Sequence, residues 1–132
     1  PILDLNTIDE AFSIDGAGGP ITLRPFRVDH GSMEALGFRV GNMAYLPDVV
    51  RIPDESWPAL QRLDCFIVDA LRYKPHPTHA HLDMTLGWIE RATPRRAVLT
   101  NMHIDLDYAV LDAETPDHVT PAHDGMVLEF AL

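Results

Sequence analysis

The 132-residue sequence holds one cysteine, Cys65. It lies in the apolar run Cys65-Phe66-Ile67-Val68, so no disulfide can form within the chain, and a buried core thiol is expected. Cations are also scarce: 10 Lys and Arg against 20 Asp and Glu give a formal charge of −10. Phosphate contacts need a basic surface, so this balance argues against a general nucleic-acid binder. It leaves room for a small anionic substrate held through metal ions, which dominate the field around them. No apolar run approaches the roughly 18 residues of a membrane span, and no signal peptide is visible; a cytoplasmic, non-membrane protein is the expectation. HExxH, paired CxxC, GxGxxG and GxSxG are all missing, so no short motif names a chemistry on its own.

Histidine is the residue present in a suggestive place. Three of the seven, His76, His79 and His81, crowd into six positions of a proline-rich loop. That loop follows an apolar run ending in Asp69 and precedes a helical pattern from Leu82. A carboxylate at the end of a buried strand with imidazoles on the next loop is a common site geometry in layered α/β folds. Imidazole titrates near neutrality and is the commonest metal ligand, so the loop suits acid–base chemistry or a metal.

The length is that of one domain, enough to bury roughly two-thirds of the unfolded surface. Asp15 to Pro20 is a glycine-rich loop. Ile21 to Val28 alternates apolar and polar residues and predicts a half-buried strand. Leu36–Val40 and Met43–Leu46 predict two more, joined by the hairpin pair Gly41-Asn42. A short helix opens at Arg51 to Ser56 and brings Trp57, Leu60 and Leu63 to helical spacing. Leu63 to Ala70 and Arg96 to Thr100 are buried-strand candidates. Between them Leu82, Leu86 and Ile89 recur at helical spacing, which predicts a helix over 82–92 ended by Thr93-Pro94. Tyr108 to Ala113 reads as helix, Glu114 to Pro121 as loop, and Gly125 to Phe130 as a closing strand. Hairpins first and then strand–helix–strand units predict a layered α/β (α+β) sheet packed by helices.

Titratable residues gather at the strand exits: His30, Asp48, Asp69 with His79 beyond it, and His103. Such exits can converge on one sheet edge, and two imidazoles with a carboxylate are a plausible ligand set for a divalent ion. Each residue also has a plainer reading. His30 before Gly31 and Asp48 after Pro47 could cap turns. His81 is read as a capping or solvated residue, and His76, between two prolines, as an exposed loop histidine. His118 and His123 are given no function. Asp105 and Asp107 would favour the positive end of a helix.

The ordered segments "LRPFRVDHG", "GFRVGNMAYLPDV", "LDCFIVDALRYKPHPTHAHLD", "RRAVLTNMHIDLDY" and "PAHDGMVLEF" resemble the C-terminal half of a metallo-β-lactamase-fold hydrolase of the phosphoribosyl cyclic phosphate phosphodiesterase-like (PhnP-type) branch. The likeness runs from about Ile21 to Phe130. It implies half of an αββα sandwich with two divalent metal ions, zinc or manganese, at the sheet edge. By resemblance His30 and Asp48 are metal ligands, Asp48 bridging both ions, and His79 contacts phosphate and protonates the leaving oxygen. The family's last metal histidine would fall at Asn101. His103, two positions on, replaces it if the chain stays extended there. Asp69 would orient a ligand imidazole, and Tyr73 and His76 would touch substrate.

The family's principal metal motif, HxHxDH, does not occur. Together with the start at Pro1, this gives the expectation that residues 1–132 are the C-terminal portion of a domain. An N-terminal half of the same protein would then complete the site, and the fragment alone would do little catalysis. The implied activity is metal-dependent hydrolysis of a phosphodiester, cyclic or nucleotide-like, with a small phosphorylated substrate; a homodimer is left open. Two alternatives stand beside it. One is a hydrolase of a lactone, thioester or RNA end. The other is a metal-free binding module in which the strand-exit residues only cap turns.

Overall fold

The computed structural model describes residues 2–8 and 10–130. Among the described residues seven strands form one sheet: β1 (Phe12–Ile14), β2 (Ile21–His30), β3 (Met33–Val40), β4 (Met43–Leu46), β5 (Cys65–Asp69), β6 (Arg96–Thr100) and β7 (Val119–Pro121). Their order across the sheet is their order along the chain. The pairs β1–β2, β2–β3 and β3–β4 are antiparallel, and β4–β5, β5–β6 and β6–β7 are parallel. A 3-10 helix (Asp54–Leu60) crosses from β4 to β5, α1 (Leu82–Ala92) from β5 to β6, and α2 (Tyr108–Glu114) from β6 to β7. This is the expected α/β class, with one sheet and its helices. No helix among the described residues is long and apolar enough to cross a membrane.

Local chemistry explains the element ends. His30 pairs with Met33 and Val40 with Met43, so two-residue loops close both hairpins. Gly31 and Gly41 take φ of 72° and 55°, the sign such turns demand at their first position. Helix α1 stops where Thr93 turns left-handed ahead of Pro94. Asp107 caps α2 by accepting from the Val110 N–H at 3.0 Å. The 3-10 helix lies against α1, with the Arg91 guanidinium 3.7 Å over the Trp57 ring.

Strand alternation sorts the sheet into two faces. Ala44, Leu46, Phe66, Val68, Ala97 and Leu99 share one face and form a single core with Trp57 and Leu60, with Leu82 and Ile89 of α1, and with Leu111 of α2. Each fully buried Leu or Phe there contributes on the order of 1.5–3 kcal/mol. Phe38, Tyr45 and Ile67 stand in register on the opposite face and outside that cluster. Tyr45 there is 42% exposed. Cys65 on the same face is buried, as its apolar run predicts.

Three elements depart from the sequence expectation. β1 is a strand of three residues that the composition did not announce. Val119–Pro121, read as loop, is the parallel edge strand β7. Gly125 to Phe130, read as a strand, joins no ladder among the described residues.

The topology places the site. β2, β4, β5 and β6 all run the same way, because two antiparallel steps separate β2 from β4. Their C-terminal ends therefore share one edge, the edge where ligands gather in open α/β sheets.

Candidate metal centre

Four strand exits deliver side chains to that edge. His30 ends β2, Asp48 follows β4 by two residues, Asp69 ends β5, and Asn101 follows β6 directly. The loop 70–81 then carries His79 back over the exit of β5. Its ends are closed by the hydrogen bonds Leu71 N–H to Ala80 O (2.9 Å) and Leu82 N–H to Arg72 O (2.9 Å). The Arg72 guanidinium braces it from inside, donating to the carbonyls of Lys74 (3.0 Å) and Pro75 (2.7 Å). Asp29, beside His30, bonds Val50 and Arg51 through its backbone and pairs with the Arg51 side chain, so the segment after Asp48 is tied to β2.

Among the described residues, one ligand atom each of His30, Asp48 and His79 lie within 4.8 Å of one another. The two imidazole rings meet edge to face, with centroids 4.6 Å apart. His30 Nδ1 is 2.8 Å from the Thr78 carbonyl, which can only accept, so that nitrogen carries the proton. His79 Nδ1 is 2.8 Å from Asp69 Oδ2 and is protonated toward it in the same way. His79 Nδ1 also lies 4.0 Å from Asp48 Oδ1. Two imidazole nitrogens and the Asp48 carboxylate then fit zinc, manganese or iron. Ligand imidazoles usually have their second nitrogen engaged by a carboxylate or a carbonyl, and both forms are present here.

Asp69 is fully buried. Its Oδ2 also receives the N–H groups of Val49 (3.4 Å) and Ala80 (3.3 Å). Its backbone carbonyl accepts from the buried Thr85 hydroxyl of α1 at 2.5 Å. Burial pushes its carboxyl above the usual carboxylate range, and the bond and charge of His79 and the two backbone donors pull against that.

The other expected residues lie nearby or elsewhere. The His76 ring is 5.3 Å from that of His79, and its Nδ1 accepts from the Thr78 N–H at 3.3 Å. Partial burial, then the neighbouring Arg72 and His79, push its pKa down. Tyr73 is exposed on the same loop. His103 does not join the group. It is exposed, its Nδ1 lies 3.3 Å from Asp105 Oδ1, and its backbone N–H bonds the Leu71 carbonyl. The two-residue alternation that would return it to the site needs extended backbone, and Asn101 instead takes φ of 59°.

Two participants were not expected. Thr78 acts through its carbonyl and leaves no side-chain signal. Asn101, where the resemblance puts a metal histidine, enters the site instead as a hydrogen-bond donor to Asp69 Oδ1 and the Pro47 carbonyl, a role its amide does not announce in the sequence.

The Beta-lactamase superfamily domain family matches residues 1–104. The chain belongs to that family. Within this superfamily it is 37% identical to the crystal structure of a new diphosphatase from the PhnP family, with a TM-score of 0.89 over 96% of this chain and 48% of that one. Human tRNase Z, short form, superposes with a TM-score of 0.65 at 20% identity, over 85% of this chain and 44% of its own. Zinc-bound PqqB from Methylobacterium extorquens superposes at 0.67 with 16% identity, over 95% and 55%. At those identities the last two speak to the fold alone. An octanoyltransferase of Porphyromonas gingivalis is 29% identical over 109 residues, 80% of this chain and 22% of that protein. The chain thus spans about half the length of these solved structures.

Proposed function

We propose that this chain carries part of the active site of a metal-dependent hydrolase acting on a phosphodiester, cyclic or nucleotide-like. The observation that carries the reading is the His30, Asp48 and His79 group, with Nδ1 of each imidazole fixed by a hydrogen bond. Membership of the β-lactamase superfamily supports it, and so does likeness to a PhnP-family diphosphatase. In this reading an N-terminal half of the same protein supplies the remaining ligands.

Two bound zinc or manganese ions would supply Lewis-acid charge to the phosphate. His30 and Asp48 would hold metal. His79 faces the substrate and passes a proton from Nε2 to the leaving oxygen, while Asp69 steadies the imidazolium through Nδ1. His76 and Tyr73, on the rim of the same loop, contact the substrate. Because the 37% identical neighbour is a diphosphatase, a diphosphate linkage is the second reading.

The test pairs this chain with the full-length protein, both purified without added metal, for elemental analysis. It then assays the full-length protein on a phosphodiester, a diphosphate, a thioester and a lactone. About two ions in the full-length protein, few in the chain, and fastest turnover of the diester are expected. Faster diphosphate turnover selects the second reading. No metal in either protein after zinc or manganese is supplied overturns both and leaves a binding module.

A further inference from the structure

We infer that Asn101 is a positioning residue that locks the Asp69–His79 pair and the turn carrying Asp48. Asn101 leaves β6 in the left-handed region, a conformation asparagine tolerates better than most residues. That turn sends its side chain across the exits of β5 and β4. Its Nδ2 lies 3.3 Å from Asp69 Oδ1 and 3.3 Å from the Pro47 carbonyl. Both partners only accept, so the amide nitrogen faces them, and its two hydrogens serve one each. The Nδ2 to His79 Nδ1 contact of 3.2 Å sets donor beside donor and is packing, since that ring nitrogen already donates to Asp69 Oδ2.

The division of the carboxylate makes this matter. Oδ2 receives His79, Val49 and Ala80, whereas the one donor to Oδ1 among the described residues is Asn101. A fully buried carboxylate oxygen stripped of its only partner is costly. The group would rotate to share its remaining donors, and the His79 Nδ1 proton would lose its fixed acceptor. The same amide fixes Pro47, the residue before Asp48, so one side chain sets the spacing between two members of the group.

The test uses Asn101→Gly, which keeps the left-handed backbone without a side chain, and Asn101→Asp, which keeps the shape without the donor. Long-range ¹H–¹⁵N NMR on the metal-free chain, at a pH where the ring is neutral, reads the His79 tautomer. The native ring is expected to carry its proton on Nδ1, and both variants to show averaged ring nitrogens with an unchanged fold by circular dichroism. If one variant fails to fold, the other decides. Zinc affinity should fall about 10-fold or more in the variant, as for other partners of ligand residues. His79 ring nitrogens identical to native in the folded variants would overturn the inference. The zinc arm rests on the metal-centre reading; the NMR arm needs no metal, so failure of that reading and failure of the positioning role are distinguishable.

Discussion

His30 donates its Nδ1 proton to the carbonyl of Thr78, 48 positions away, at 2.8 Å. The next residue, His79, supplies the second imidazole of the group. Two adjacent loop residues therefore set both rings, one through its backbone and one through its side chain. The loop can approach His30 because Gly31 has no Cβ: one built there would lie 2.6 Å from Thr78 Cγ2 and 3.3 Å from the Pro77 carbonyl.

Gly31→Ala is expected to destabilise the chain by about 1–3 kcal/mol, since it adds that clash to a φ of 72°. The displaced Thr78 carbonyl should also free the His30 ring. Denaturant unfolding and zinc titration check this together, and native values for both would remove the Gly31–Thr78 contact from the account.

His79→Ala in the full-length protein is expected to cut phosphodiester turnover by about 100- to 10,000-fold with metal content retained, as loss of a general acid does. Metal analysis beside the rate measurement is decisive. If metal is lost in parallel with activity, His79 is a ligand, and the proton-donor role fails.

Gly37→Ala probes packing away from the site. A Cβ there would meet the Phe26 ring at 2.4 Å and Leu46 Cδ1 at 3.0 Å. Overpacking of this kind costs about 1–3 kcal/mol. Unfolding midpoints should drop while metal binding stays native; a midpoint equal to native would show that Phe26 can move aside freely.

Burial pushes the Cys65 thiol up, with Arg96 opposing. Folding therefore favours the protonated form. That contribution to stability is complete below the unfolded-state thiol pKa and is lost as pH rises through the raised folded one. A thiol reagent should modify the native chain slowly at neutral pH and the denatured chain fast. Rapid modification of the native chain would mean that β5 opens readily.

The central part of the chain was legible because its signals are local. The run Cys65 to Val68, the i, i+4, i+7 spacing of Leu82, Leu86 and Ile89, and the run Ala97 to Leu99 each mark an element that the structure keeps. β1 and β7 have three residues each and exist through pairing with β2 and β6, which no local pattern records. Gly125 to Phe130 carries strand-forming residues after the turn signal Asp124-Gly125, but it lacks a neighbour to bond among the described residues. At the site, His30, Asp48 and His79 came from the simple rule that polar residues at strand exits converge. His103 failed that rule because the left-handed turn at Asn101 breaks the alternation on which it depended.

Strand order along the chain and across the sheet are the same, so every strand finds its partner already made by the segment before it. During synthesis the sheet can grow outward from one edge, without waiting for a distant segment to return. Nearest-neighbour growth of this kind keeps loop-closure costs small and favours quick assembly. His30, Asp48 and His79 emerge in that order, so all three are at hand once α1 forms. The brace from Asn101 arrives last, after β6 has docked.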